Sequence, residues 1–344
     1  GFVLAWRAGG EPAPVEPPET VEGDLKASLA SDSPAHVSIP SKATAVEVLA
    51  FNLESDKDVT VSEIVVEKSG VSTLASGFQG YIYVNGERLT SGRSLTSDTR
   101  TMTFRNLSLA VDSTPVRVSV RADMGGTTDS GTVAFAVTSI TSSAATIGGL
   151  PVQGATHGIS ATEVGTVTVN KTGSITNPKV GAQDAVIAKF KVSATTEDAM
   201  LEELGLYLTG TVATSAVENW ELYVSGTADP VATAANVSAK DIATFLFSTP
   251  YELKKGDTKT FEVKADFNTG RTDDTVQVYV DESTDVVAIG STYGYGMAVG
   301  LDDSDGYDGT DCSNGTDCSS STLEGGDITI SSNGPAARDV ATNA

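Results

Sequence analysis

Apolar and polar residues alternate along most of this chain. The runs VTVSEIVVEK (59–68), GYIYVNG (80–86), VRVSVRAD (116–123) and TVAFAV (132–137) place every second residue on one face, and clusters of Gly, Asn, Asp and Ser separate them. A period of two predicts strands joined by turns. One stretch, EDAMLEELGLYL (197–208), has the look of a helix.

Internal repetition decides that case. Phe51, Leu53 and Ser55 match Phe190, Val192 and Ala194 at an offset of 139, and Val61, Ile64, Val66 and Gly70 match Leu201, Leu204, Leu206 and Gly210 at 140. The same shift lays YIYVNG (81–86) over ELYVSG (221–226). Thr103 and Phe104 fall on Thr244 and Phe245 at 141, and VSVRAD (118–123) falls on FEVKAD (261–266) at 143. At that last offset Val133, Phe135 and Val137 fall on Val276, Val278 and Val280. Offsets that drift by a few residues mark loop insertions between paired strands. LEELGLYL therefore occupies the place of VSEIVVEK, whose β-branched residues favour a strand. About seven strands per copy without crossover helices predict an all-β chain of two tandem immunoglobulin-like antiparallel β-sandwiches, with extended N- and C-terminal strands.

The expected organisation is an apolar strand at 1–10, a Pro-rich linker at 11–22, sandwiches at 23–160 and 161–300, an acidic loop at 301–325, and 326–344 as the opening strand of an incomplete third repeat. The last assignment rests on GDITISSNG, which resembles the openings GDLKASLAS and GTVTVNKTG. Its alternating positions include Ile328 and Ile330.

These tandem modules share a G-x-[apolar]-x-[apolar] opening, a central [FY]-x-[apolar] strand, an LY-V-x-G hairpin and a closing V-x-[VA]-[KR]-AD strand. In that respect the chain resembles the immunoglobulin-like repeats of large bacterial surface, S-layer-like and filament-forming proteins. The resemblance implies extracellular structural or adhesive work at the cell surface. LPVQG (150–154) is not a sortase signal, because Gln stands where Thr belongs and no apolar tail follows.

Charge narrows the partners. Forty-five Asp and Glu against 22 Lys and Arg give a formal −23, which repels nucleic acid and anionic lipid. No stretch reaches the roughly 20 apolar residues of a membrane-spanning helix. Catalytic parts are scarce: the chain has two histidines, His36 and His157, and no G-x-S-x-G pattern. The glycine-rich GYGMAVG (294–300) runs into acid and not into a helix N-terminus. A non-enzymatic role is expected.

The acidic loop carries the candidate ligands. Asp302, Asp303, Asp305, Asp308 and Asp311 offer hard oxygens of the kind calcium takes, although the spacing departs from an EF-hand and a solvated acidic insertion is the favoured reading. Cys312 and Cys318 lie close enough for a local disulfide, with free thiols or a metal thiolate as alternatives. Asn314 heads a glycosylation sequon in the same loop. Tyr293, Tyr295 and Tyr307 flank it and suit either a glycan-binding surface or a domain junction.

At the N-terminus, FVLAWR aligns Phe2, Leu4 and Trp6 on one strand face, tethered by EPAPVEPPETV. Burying three such side chains contributes roughly 1.5 to 3 kcal/mol each. The tether, in polyproline II, spans roughly 35 Å. Two readings follow: a strand donated to the next subunit of a head-to-tail homopolymer, or the remnant of a signal or anchor. The first predicts a surface filament, pilus-like fibre or sheath. The alternative is an adhesin or S-layer-like module that binds a glycan or cell-surface ligand without polymerising.

Overall fold

A computed structural model describes residues 21–74, 77–126, 130–173, 175–271, 274–302 and 328–329. Among them there is no α-helix, and two short 3-10 turns interrupt the strands. The tandem all-β sandwich class expected from the alternation is the class observed. LEELGLYL is strand.

The first sandwich comprises β1 (Val21–Leu29), β2 (Ser38–Ser41), β3 (Val46–Ser55), β4 (Val59–Ser69), β5 (Gln79–Val84), β6 (Glu87–Arg88), β7 (Thr101–Val111), β8 (Val116–Asp123), β9 (Thr132–Ser142), β10 (Ala144–Gly148) and β11 (Val152–Glu163). One sheet runs β10-β1-β3-β8-β5-β6 and the other β2-β11-β9-β4-β7. Phe51, Phe104, Val120 and Phe135 fill the space between them, all fully buried.

The second sandwich comprises β12 (Thr166–Lys171), β13 (Ala185–Thr195), β14 (Ala199–Gly210), β15 (Val217–Val224), β16 (Ala232–Ala234), β17 (Ile242–Leu253), β18 (Thr258–Phe267), β19 (Thr275–Tyr279), β20 (Val286–Gly290), β21 (Ala298–Asp302) and β22 (Ile328–Thr329). Its sheets run β16-β15-β18-β13-β12-β21 and β17-β14-β19-β22, with β20 also on β14. Apart from β2, which has no counterpart among the described residues, and β20, which stands apart from β19, this repeats the first sandwich. Phe190, Phe245, Phe261 and Trp220 form its core. The pairing is antiparallel except at β1–β10, β2–β11 and β12–β21, which are parallel.

Two residue types shared by the copies have direct geometric causes. Gly70, just after β4, and Gly210, the last residue of β14, sit at φ +93° and +124°, and a Cβ there would meet the carbonyl oxygen of Thr132 or Thr275 at 2.2 Å. The Asp of the closing AD pair answers a strained backbone. Asp123 accepts the Ala45 N–H at 2.8 Å and Asp266 the Asp184 N–H at 2.9 Å. Ala45 and Asp184 sit at φ 53° and 51°, where a side-chain acceptor holds a conformation most residues avoid.

The C-terminal strand differs from the third-repeat expectation. Ile328 and Thr329 pair with Val276 and Thr275 of β19, just as His157 and Gly158 of β11 pair with Val133 and Thr132 of β9. They hold the register of the second sandwich's own last strand. β21, parallel to β12 as β10 is to β1, precedes them. The acidic stretch therefore intervenes in sequence where the first sandwich has only Gly149, Leu150 and Pro151 between β10 and β11.

Candidate functional site: the junction between the sandwiches

Only Val164 and Gly165 link β11 to β12. Close docking of the two sandwiches is enforced by hydrogen bonds on both sides of that link. Thr44 donates its N–H to the Gly296 carbonyl at 3.1 Å and its hydroxyl to the Met297 carbonyl at 2.6 Å. A Cβ on Gly296 would lie 2.1 Å from the Thr44 oxygen, so only glycine allows the approach. Tyr295 packs on the first sandwich's core, which selects the junction reading for that residue. The Glu197 carboxylate accepts the N–H groups of Gly165 at 2.9 Å and Thr292 at 2.6 Å.

The polar centre of the junction comes from an insertion. In the first sandwich β9 runs unbroken, and Thr138 and Ser139 lie between Val137 and Ile140. The matching interval in the second holds five residues, Asp281 to Asp285, between Val280 and Val286. These three extra residues form the 3-10 turn Ser283–Asp285, closed by reciprocal Glu282–Asp285 capping. The turn projects into the side of the first sandwich formed by β5, β6 and β8.

Arg88 receives it. Its guanidinium donates to both oxygens of Asp285, Nε to Oδ1 at 2.7 Å and Nη2 to Oδ2 at 2.9 Å. Nη2 also donates to Asp281 at 2.7 Å, and Nη1 to the Thr90 carbonyl at 3.0 Å. The Arg88 and Asp285 side chains are 5% and 4% exposed. Around them Tyr83 donates to the Thr284 carbonyl at 3.2 Å, the Gly92 N–H donates to Glu282 at 3.1 Å, and Ser283 donates to Asp123 at 2.5 Å. Arg121 lies 4.0 Å over the Tyr83 ring and pairs with Glu203 at 3.0 Å.

Burial pushes the carboxyls of Asp123, Glu203, Glu282 and Asp285 above their ordinary range, Asp285 to about 7, against the opposing pull of their donors. Such a network holds two modules in one orientation. Among the described residues no group of three or more His, Cys, Asp and Glu is disposed to hold a metal. At the junction the cations that face these carboxylates are Arg88 and Arg121.

Of the residues singled out from sequence, Phe2, Leu4, Trp6, Asp303, Asp305, Asp308, Asp311, Cys312, Cys318, Asn314 and Ile330 lie outside the described residues. Asp302 ends β21, and Ile328 opens β22. Sequence reading missed Arg88 and the 281–285 turn. The signal available was the extra length between Val280 and Val286 in the repeat alignment.

No protein-family model matches the chain, and no curated protein matches it. Solved structures with partial likeness include the C-terminal domain of the antigen I/II polypeptide BspA of Streptococcus agalactiae (11% identity, 78% of this chain and 96% of that one, TM-score 0.20). Another is the C-terminal domain of the antigen I/II-family protein AspA of Streptococcus pyogenes (8%, 80% and 97%, TM-score 0.24). A third is the serine-rich repeat protein Srr2 of Streptococcus agalactiae (12%, 78% and 92%, TM-score 0.20). Superposition at this level is too loose to bear on what this chain does.

Proposed function

We propose that this chain is an extracellular, non-catalytic cell-surface protein. Its docked sandwiches act as a stiff spacer that presents an adhesive or surface-layer face. The observation that supports this most is the Arg88 clamp on Asp281 and Asp285, which opposes hinging between the modules. A formal −23 keeps such spacers soluble and apart. Protease treatment of intact source cells tests the location. The chain is expected to be cleaved without lysis, and its complete protection until lysis would refute surface display.

A second reading, head-to-tail polymerisation by strand donation from Phe2, Leu4 and Trp6, draws support from one feature of the second sandwich: Lys264 lies 3.9 Å over the Tyr223 ring, repeating the Arg121–Tyr83 pair. No module covers the repeated pair among the described residues. Negative-stain imaging of the full chain and of a variant lacking residues 1–10 tests it. Fibres that vanish on deletion support donation, and fibres that persist refute it.

A further inference from the structure

Beside the Arg88 clamp the two sandwiches enclose a cleft of about 400 Å³. Its lining is richer in cationic side chains than the chain as a whole. Four cationic residues, Arg88, Arg93, Arg105 and Lys240, line it against two carboxylates, Asp241 and Asp281, whereas the whole chain has 22 cationic side chains to 45 acidic ones. Two of the four are already answered: Arg88 by Asp285 and Asp281, and Arg105 by Glu63 at 2.7 Å. The Arg93 guanidinium donates only to the Gly92 carbonyl, and among the described residues neither it nor Lys240 has a carboxylate within ion-pair distance.

The frame around these two cations is fixed. The Arg93 backbone exchanges two hydrogen bonds of 2.9 Å with Gly80, and Lys240 rides a turn closed by Asp241 N–H to Ser238 carbonyl at 2.9 Å. Asn106 and Asp241 in the wall hold left-handed backbone, φ 58° and 60°. Asn106 does so within a bulge, where residues 106–108 stand opposite Ser62 alone. Strained bulges next to a cleft are a recurrent setting for ligand contacts.

We propose that this cleft binds the anionic group of a saccharide, a uronate carboxylate or a sulfate, between Arg93 and Lys240. Thr90, Ser91 and Asn106 supply hydrogen-bonding partners for sugar hydroxyls, and the Tyr207 ring, braced by Tyr279 at 5.2 Å, supplies an apolar platform. Long polyanions are disfavoured by the formal −23, so short oligosaccharides or chain ends fit best. The inference deepens the adhesive reading, but its test uses the purified chain and stands apart from the test of surface location.

Calorimetric titration of the full chain with tetragalacturonate, a heparin tetrasaccharide and neutral cellotetraose distinguishes carboxylate, sulfate and uncharged ligands. One of the two anionic sugars is expected to bind with Kd below about 1 mM. Arg93→Ala combined with Lys240→Ala, both exposed, is expected to weaken it at least about tenfold with thermal stability unchanged. Lys57→Ala, on an exposed turn remote in sequence from these residues, controls for net charge. Any one of four results overturns the proposal: no heat with either anionic sugar, equal binding by cellotetraose, binding unaffected in the double variant, or tighter binding of an acidic hexapeptide.

Discussion

Replacing Arg88 by Met removes the guanidinium and keeps much of the apolar stem. Asp285 is then left buried without its bidentate partner, and Asp281 loses a 2.7 Å bond. Breaking a buried pair from one side costs about 3 to 5 kcal/mol, because the remaining charge is neither solvated nor paired. Each sandwich has the size at which 1 kcal/mol moves the melting midpoint by roughly 3 °C, so a loss of about 10 °C is expected in the cooperative unit that contains the junction. Calorimetry or urea unfolding followed by Trp220 fluorescence reads it. Trp220 is fully buried in the second sandwich and reports on the module that supplies the turn. A triple variant that also carries Asp281→Asn and Asp285→Asn should recover part of the loss, since neutral partners no longer strand a charge. A cost below about 1 kcal/mol for Arg88→Met, the level of an exposed surface pair, would refute the clamp.

Other expectations follow from the same junction. Asp123, Glu203, Glu282 and Asp285 are all raised by burial, so the docked form binds protons more tightly than the separated form. Stability should therefore be greater near pH 5 and fall as pH rises through about 7, the folded value for Asp285; the opposite slope in urea titrations would mean that Arg88 dominates. Gly296→Ala forces a Cβ against the Thr44 carbonyl and should destabilise by about 1 to 3 kcal/mol in thermal unfolding. For the acidic loop, calorimetric heat on calcium addition would support ligation by Asp302 and its neighbours. An absence of heat, with stability unchanged in chelator, would count against it.

The alternation and the repeat carried the strands because a period of two and a buried face are local properties. VSVRAD and FEVKAD announced β8 and β18, and even their shared Asp proves to be a backbone acceptor in both copies. The junction was less legible. Arg88 and Asp285 are 197 residues apart in sequence, and nothing in either neighbourhood states that one will bury the other. GDITIS misled for a related reason: a Gly followed by alternating apolar residues fits the first strand of a sandwich and the last equally well. Pairing with β19 decides between them. Arg93 and Lys240 are likewise remote in sequence, and it is the docking of the sandwiches that sets them in one cleft.

Whether the Arg88 clamp makes the two sandwiches one body is read by small-angle X-ray scattering from the purified chain and its Arg88→Met variant. The native chain is expected to give a profile fitted by a single docked arrangement, and the variant a longer, broader distance distribution. A native profile that demands freely hinged modules, or one identical to that of the variant, would contradict it.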